Sequence, residues 1–231
     1  EHGPLLVDKL IGPYTGRAMP PLATIDLVGW DVHKAIVDNI CEHVENDEAI
    51  ETYQLPGYMA ALIEKGMRGR KNRDGYFTRG ADKQKLVLDI KSGDYKPASE
   101  VELPELPFIK DIVFLHCIGE YKRAMQLFAT AEGEYAALAR KVIAGYISYS
   151  FCRVGEATDG IAGIDRIMAS GFNWAPPSVL VELFGLRETV EMMERANVTV
   201  PTLLSDALKA GPEARFFNEP RLSVGKYFVA R

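Results

Sequence analysis

The sequence is poor in cysteine, has no excess of positive charge and contains no long apolar run. Its three cysteines lie far apart, which argues against a disulfide framework and favours a reducing compartment, the cytoplasm. A formal net charge of −5 provides no basic field for nucleic acid or anionic lipid, so neither is an expected partner. The apolar runs are far shorter than the roughly 18 residues of a membrane-spanning helix, so we expect no membrane insertion.

Several patterns of catalytic and cofactor sites are also missing. No two glycines are separated by one residue, which excludes the G-x-G turn that lets a backbone approach a pyrophosphate. The sequence contains no H-x-x-x-H or C-x-x-C pair, which are common spacings of metal ligands. It also contains no G-x-S-x-G elbow, the nucleophile turn of many hydrolases. We interpret His33 as a partly covered structural histidine, and Cys117, beside His116, as a buried thiol. The sequence therefore predicts no catalytic residue and no metal in this chain.

Apolar periodicity favours helices over strands. A helix over residues 32–44 has its apolar stripe at Val32, Ala35, Ile36, Ile40 and Val44. A longer helix over residues 134–151 has its stripe at Tyr135, Leu138, Val142, Tyr146 and Tyr149. We expect both stripes to face the core. Further helices are predicted after Pro56, around residues 190–193 and after Pro201.

Evidence for strands is confined to the middle of the chain. Residues 75–78 and 85–90 are β-prone and flanked by turn residues, which predicts a small hairpin. Residues 92–107 contain three prolines among charged residues, which predicts an extended connector without helix or sheet. We place a domain boundary there.

An internal repeat is the most informative feature of the chain. Residues 7–11 resemble residues 164–168, and Pro20-Pro21 and Gly29 have counterparts at Pro176-Pro177 and Gly185. This pattern predicts two helical units, residues 1–97 and 98–231, that bury their apolar faces against each other. We interpret the equivalent acids of the two copies, Asp8 and Asp165, as helix-start electrostatics rather than catalytic carboxylates.

Five positive charges are concentrated between the helix predicted after Pro56 and the predicted hairpin. Lys65, Arg68, Arg70, Lys71 and Arg73 are interrupted by Gly66 and Gly69. Guanidinium groups on a flexible backbone suit a phosphate, because bidentate charge-assisted hydrogen bonds are strong. The alternative is a solvated loop whose charges complement a helix C-terminus. Both interpretations remain open at this point.

Four segments of the chain resemble the 3-hydroxyacyl-CoA dehydrogenases. Residues 62–77 resemble the E-K-G-x-x-G-x-K-x-G-x-G-F-Y stretch of that family. Residues 12–17 and 26–31 resemble its G-P-x-x-G-R and D-L-V-G-L-D segments. Residues 164–185 resemble its second copy, I-D-x-A-M followed by G-F-G-W and G-P-F-E-L-x-D-x-x-G.

The resemblance implies an all-α fold of duplicated helical domains of the 6-phosphogluconate dehydrogenase C-terminal-like type, with a minor β-hairpin. It also implies the C-terminal region of an NAD-dependent enzyme of fatty-acid β-oxidation, which converts 3-hydroxyacyl-CoA to 3-ketoacyl-CoA. NAD and a catalytic His–Glu pair would then belong to a preceding nucleotide-binding domain. Since this chain opens at Glu1 without an initiator Met, we expect a fragment that is inactive alone.

The same resemblance sets the expected partners. They are an acyl-CoA substrate, bound through Arg70, Lys71 and Arg73, the missing N-terminal nucleotide-binding domain and, as a further option, a second copy in a homodimer. The alternative function is a non-catalytic helical module that binds acyl-CoA or another protein.

Overall fold

A computed structural model describes residues 2–211, 214–216 and 224–228 of the chain. The fold is mostly helical with one small antiparallel sheet, as predicted. The helices are α1 (Pro4–Leu10), α2 (Pro21–Val28), α3 (Trp30–His43), α4 (Gly57–Glu64), α5 (Pro107–Cys117), α6 (Tyr121–Thr130), α7 (Glu134–Cys152), α8 (Ile161–Ile167), α9 (Pro177–Phe184), α10 (Leu186–Arg195) and α11 (Thr202–Ala210). The strands are β1 (Phe77–Arg79), β2 (Lys85–Leu88) and β3 (Tyr95–Pro97). Nowhere in the described ranges is a helix both long and apolar enough to cross a bilayer.

The chain forms two compact units that are discontinuous in sequence. The first unit comprises Glu1–Lys9 and Pro20–Pro104, and the second comprises Leu10–Met19 and Glu105–Arg231. The change of unit after Pro104 falls near the predicted boundary, whereas residues 10–19 cluster with the second unit. The division into repeats over residues 1–97 and 98–231, and the burial of their faces against each other, stay predictions.

The first unit has its core between three helices and the sheet. The buried members of this core are Trp30, Met59, Ile63, Tyr76 and Leu88. The strand order is β1-β2-β3, with both pairs antiparallel. The hairpin prediction is therefore confirmed, but the connector prediction is wrong at β3. Proline is tolerated there because Pro97 ends an edge strand, where a missing N–H costs little pairing.

Residues 10–19 form part of the core of the second unit. The ring of Tyr14 lies edge-on to that of Phe128, with the centroids 5.6 Å apart. The N–H of Ala175 donates to the carbonyl of Gly16 at 2.7 Å. Gly16 has φ +87°, and a Cβ there would lie 2.6 Å from the Cβ of Ala175, so only glycine fits this crossing.

Helix α3 forms where periodicity predicts it, but its predicted inner face is wrong. Val32 and Ile36 are 40% and 49% exposed, whereas Trp30 and Val37 are buried. The spacing of apolar residues defines a stripe on a helix, but it does not say whether another element covers that stripe.

The long helix α7 also buries a different face from the predicted one. Its buried residues are Ala136, Ala139, Ile143, Ala144, Ile147, Ser148, Ser150 and Phe151. Leu138 and Val142, which belong to the predicted stripe, are 36% and 38% exposed. This buried face is rich in small side chains, and α7 packs against α9 and α10. Small residues let helices approach closely, so packing selected them over the larger apolar stripe.

The prolines and glycines that recur in the two copies produce the same local geometry twice. Helices α1 and α8 each have seven residues. Helices α2 and α9 each open with a proline. Gly29 and Gly185 then join the next helix with nearly identical φ values of +103° and +102°. A positive φ of this size favours glycine, which explains why the same residue appears in both copies.

Candidate functional site

Two buried carboxylates occupy equivalent places in the two units. Asp8 accepts hydrogen bonds from the backbone N–H of Leu22 at 2.8 Å and of Ala23 at 3.0 Å. Asp165 accepts from the N–H of Ser178 at 3.1 Å and from its hydroxyl at 2.5 Å. Asp8 thus satisfies two free N–H groups in the first turn of α2, and Asp165 satisfies one in the first turn of α9.

The interpretation of these acids as helix-start groups is correct, but for a different helix. Asp8 is the fifth of the seven residues of α1, and Asp165 is the fifth of the seven in α8. Neither lies at the start of its own helix. Each instead reaches the proline-led helix that follows, so its role depends on the path of the intervening loop.

Burial changes the acidity of both groups. It raises the pKa of Asp8 to about 6, although its two backbone hydrogen bonds and the charge of Lys85 act in the opposite direction. Burial likewise raises the pKa of Asp165, against the two hydrogen bonds from Ser178. The negative charge of Asp26 adds to the increase at Asp8.

We expect the Asp8→Asn variant to lose part of the pH dependence of stability. The folded-state pKa of about 6 exceeds the ordinary value of 3.8, so the folded protein holds the proton more tightly. Stability from this group is present below about pH 4 and falls as the pH rises through 6, by up to about 3 kcal/mol. Urea unfolding of both proteins at several pH values between about 4 and 7 measures this component.

The exposed Asp38→Asn variant is the control for this experiment. The Asp38 carboxylate is paired with Lys34 on the surface of α3. Its loss should therefore leave the decrease of the unfolding free energy with rising pH almost unchanged. If the unfolding free energy decreases equally steeply with pH in Asp8→Asn and in the unaltered protein, Asp8 does not titrate in this range.

A third buried carboxylate, Asp26, holds the end of the positively charged segment, residues 65–77, which we call the basic loop. Asp26 is 4% exposed. Its Oδ1 accepts from the indole N–H of Trp30 at 2.7 Å and from the N–H of Tyr76 at 2.8 Å. Its Oδ2 accepts from the N–H of Phe77 at 2.8 Å. These bonds attach the loop to α2 and to the core.

Two glycines of the basic loop lie directly against Asp26. Gly69 has φ +80°, and a Cβ there would lie 2.8 Å from the Asp26 carbonyl oxygen. A Cβ at Gly75 would overlap the Asp26 carboxylate. The glycines of this motif therefore allow the loop backbone to approach α2 closely.

Arg68 confirms the helix-complementing interpretation for one member of the cluster. Its Nη1 donates to the carbonyl oxygens of Ile63 at 2.7 Å and Met67 at 2.9 Å. Ile63 belongs to the last turn of α4, where carbonyl groups lack partners within the helix. Arg68 is therefore occupied by the fold.

The three predicted ligand-binding residues lie together on the exposed side of the basic loop. Lys71 Nζ forms an ion pair with Asp31, 2.8 Å from Oδ1. Arg70 and Arg73 are exposed, and neither forms an ion pair with another residue in the described part of the chain. Arg73 has φ +61°, so the tight turn fixes the direction in which its side chain leaves. A phosphate role for these residues stays a prediction.

The first unit also contains a mainly apolar cavity of about 430 Å³. Its lining includes Leu5, Leu6, Tyr58, Leu88, Ile90 and Val101. Its volume falls within the usual range for small-molecule pockets. The hydroxyl of Tyr58 lies 2.9 Å from that of Tyr76, which is anchored by Asp26. A hydrogen-bonded path therefore connects the cavity wall with the end of the basic loop.

A cleft of about 510 Å³ in the second unit is less informative. Its lining combines the cations Lys122, Arg187 and Arg215 with the acids Glu182 and Glu188. Opposite charges of similar number give this cleft no clear preference for one class of ligand.

The histidines and cysteines show no catalytic arrangement. His33 is half-buried, and burial lowers its pKa, which agrees with a structural role. His116 is buried, and its Nε2 lies 3.1 Å from the carbonyl oxygen of Tyr14. The prediction of a buried thiol is wrong, because Cys117 is exposed. Neighbouring helical residues point about 100° apart, so burial of His116 turns Cys117 outward.

The residues that the structure describes lack the known turn of a dinucleotide site. In dinucleotide-binding βαβ units, the turn that binds the pyrophosphate joins a strand of a parallel sheet to a helix. Both strand pairs of the sheet in the described residues are antiparallel. The sequence also lacks the G-x-G spacing of that turn.

Sequence reasoning missed the central role of Asp26. Asp26 appeared only as the first residue of the motif at residues 26–31. The available signal was its place as the one charged residue in the mainly apolar run of α2, Leu22 to Val28. A single charge in such a run is buried only when polar groups from elsewhere meet it.

Comparison with known proteins finds a similar protein in Bacillus subtilis (strain 168), named "Probable 3-hydroxyacyl-CoA dehydrogenase". The two sequences are 26% identical over 215 residues, which is 92% of this chain and 26% of the relative. The chain thus spans about a quarter of the length of that relative. No family model matches the chain. No solved structure matches it either. The relative's name agrees with the family that the sequence motifs resemble.

Proposed function

We propose that this chain is a helical, substrate-facing region of an NAD-dependent 3-hydroxyacyl-CoA dehydrogenase of fatty-acid oxidation in the cytoplasm. The observation that carries this proposal is the similarity to the Bacillus subtilis protein along nearly the whole chain. In the proposed reaction, the 3-hydroxyl carbon would give its hydride to NAD, and the hydroxyl proton would pass to a catalytic base outside this chain. NAD would be bound by a part of the protein outside this chain, since the residues present here do not fit it.

Within this proposal, the first unit contacts the acyl-CoA. Arg70, Lys71 and Arg73 supply positive charge for its phosphate groups, and the anchored backbone of the basic loop orients them. The cavity beside Tyr58 offers apolar surface to the uncharged part of the ligand. The anchor at Asp26 connects the two, because it fixes the loop that carries the charges.

We expect the double variant Lys71→Ala/Arg73→Ala to bind an acyl-CoA about tenfold more weakly. Removing two exposed cations costs about 1.4 kcal/mol in total if each contributes about as much as a favourable surface ion pair. Isothermal titration calorimetry at low and high salt measures this loss, and the salt dependence should decrease in the variant. Lys34→Ala is the matched control, because Lys34 is also an exposed, ion-paired lysine of this unit.

Equal affinity and equal salt dependence in the double variant would remove the basic loop from the substrate site. Catalysis requires a separate measurement. The complete reading frame that contains this chain should produce NADH from NAD and a 3-hydroxyacyl-CoA, whereas the 231-residue chain alone should not. A complete protein that binds acyl-CoA without producing NADH would contradict the dehydrogenase proposal.

A second candidate function is a non-catalytic module that binds acyl-CoA or another protein. The observation in its favour is a set of exposed apolar side chains at the end of α2 and along α3. Its residues include Leu27, Val28, Val32, Ile36 and Val44, which are 40–49% exposed. Apolar patches of this kind often mark contact surfaces, and a second copy of the chain is one partner that would cover it. The NADH assay separates this function from the first.

A further inference from the structure

Arg17, in the second unit, is a buried cation held between aromatic rings. It is 8% exposed. Its guanidinium carbon lies 3.9 Å from the centroid of the Trp174 ring and 5.6 Å from that of Tyr146. Both distances are within the range of cation–π contacts.

This guanidinium has no polar partner in the part of the chain that the structure describes. Its side chain forms no hydrogen bond or ion pair there, and Nε is fully enclosed without an acceptor. The two terminal nitrogens are not enclosed in this way, so the outer edge of the guanidinium reaches solvent. Burial lowers its pKa to about 10, and Tyr146 is the group that counteracts this effect. Among the described residues, no carboxylate therefore compensates the buried charge.

Other arginines of this unit with buried portions are compensated. Arg153 lies over the Tyr149 ring at 4.9 Å, and its Nη1 is also paired with Glu156 at 2.8 Å. Arg140 donates to the carbonyl oxygens of Phe128 and Ala131. Arg17 differs from both. A desolvated charge without an acceptor is unfavourable, and aromatic contacts replace only part of its hydration.

The backbone around Arg17 is firmly positioned. Arg17 forms an antiparallel bridge with Trp174, and the neighbouring Gly16 accepts the Ala175 N–H. Gly16 is close enough to Ala175 to exclude a larger residue. A guanidinium fixed by its backbone and by two rings is preorganised for a ligand, because little side-chain freedom remains to be lost on binding.

We propose that Arg17 is the anchor of a phosphate-binding site in the second unit. Its exposed edge donates two parallel N–H bonds to phosphate oxygens, while Trp174 and Tyr146 hold the plane of the guanidinium. A dianionic phosphate compensates the buried charge more strongly than a monoanion does. Phe172, 56% exposed and 5.5 Å from Trp174 between centroids, offers its ring to the adjoining organic group of a phosphate ester. The site is independent of the proposed dehydrogenase activity and of the basic loop in the first unit.

Trp174 provides a direct readout for this site. The chain has two tryptophans, and the other, Trp30, belongs to the first unit. Titration with inorganic phosphate should change Trp174 fluorescence in a saturable manner, and Trp174→Phe should abolish the change. In Arg17→Met we expect at least a tenfold loss of affinity. Arg17→Lys should show a smaller loss, because it keeps the charge but not the two parallel bonds.

The control variant is Arg153→Met, which should bind phosphate as the unaltered protein does. A parallel titration with coenzyme A identifies the source of the phosphate. Tighter binding than inorganic phosphate indicates an organic phosphate ester, and equal or weaker binding indicates free phosphate. Both outcomes support the site.

Three results would overturn the proposal. They are no saturable response to phosphate or coenzyme A in the unaltered protein, equal phosphate affinity in Arg17→Met and the unaltered protein, or acetate binding as tightly as phosphate. The first and third results need no variant, and Arg17→Lys replaces Arg17→Met if the methionine variant fails to fold.

Discussion

Replacing Asp26 by alanine should lower the free energy of unfolding of the first unit by about 3–5 kcal/mol. The substitution leaves three donors of Trp30, Tyr76 and Phe77 without their acceptor. Each unsatisfied buried donor costs about 1–3 kcal/mol, and contributions of one cluster do not add fully. The basic loop should also lose its fixed position, because two of these donors belong to its end.

Hydrogen exchange and urea unfolding together measure this effect. The amides of Tyr76 and Phe77 should exchange faster in Asp26→Ala, and Trp30 fluorescence should report unfolding at lower urea. Asp26→Asn should be less destabilised, because its amide oxygen can still accept from Trp30 and Tyr76. Asp38→Ala, at an exposed position, should show almost no change. Unchanged exchange at Tyr76 and Phe77 in Asp26→Ala would show that Asp26 does not anchor the loop.

Replacing Phe128 by alanine should destabilise the second unit by a similar amount, about 3–5 kcal/mol. Phe128 is fully buried, and its ring contacts those of Tyr14, Phe108 and Phe184 at centroid distances of 5.6–6.4 Å. Loss of a buried phenyl ring removes apolar burial and leaves a cavity that its neighbours fill only in part. Since Tyr14 belongs to residues 10–19, this segment should loosen first.

The test for Phe128 compares exchange in different parts of the second unit. Amides of residues 10–19 should lose more protection than those of α10, and unfolding followed by Trp174 should occur at lower urea. Phe128→Leu is the matched control, with an expected loss of about 1–2 kcal/mol because most of the volume remains. Full protection of residues 10–19 in a destabilised Phe128→Ala protein would show that Phe128 does not hold this segment.

Asp26 and Phe128 support different proposed binding sites. Asp26 fixes the loop whose cations are proposed to bind the acyl-CoA, so its loss should weaken ligand binding as well as stability. Phe128 supports residues 10–19, which carry Arg17. Its loss should therefore weaken phosphate binding in the second unit and leave the basic loop unaffected, a difference that calorimetry with each variant can measure.

Much of the local structure was predictable from the sequence. The spacing in α3 and α7 gave the right helices, and β-prone residues gave the hairpin of β1 and β2. The repeated Pro-Pro and Gly signals gave the same helix boundaries in both units. The third strand was missed because proline normally argues against a strand, and only the edge position of Pro97 removes that objection.

The candidate sites were less predictable, because they depend on neighbours that are distant in the sequence. Clustered charge identified the basic loop, but not the pairing of Lys71 with Asp31 or the use of Arg68 by α4. Arg17 appeared only as the last residue of a motif. Nothing in its sequence context indicates that Trp174 covers it or that an acceptor is missing.

By itself, the sequence determined the approximate bounds of α3, α7 and the proline-led helices, because proline, glycine and the 3.6-residue period act on the backbone over a few residues. It also determined the order that both copies share: a helix, a helix that opens with proline, and a glycine that joins the next helix. The tertiary structure decided which face of α3 and α7 is buried, that residues 10–19 join the second unit, and which donors meet Asp26. These features arise when distant side chains compete for the same space and the same polar atoms, and local preference contains no information about that competition.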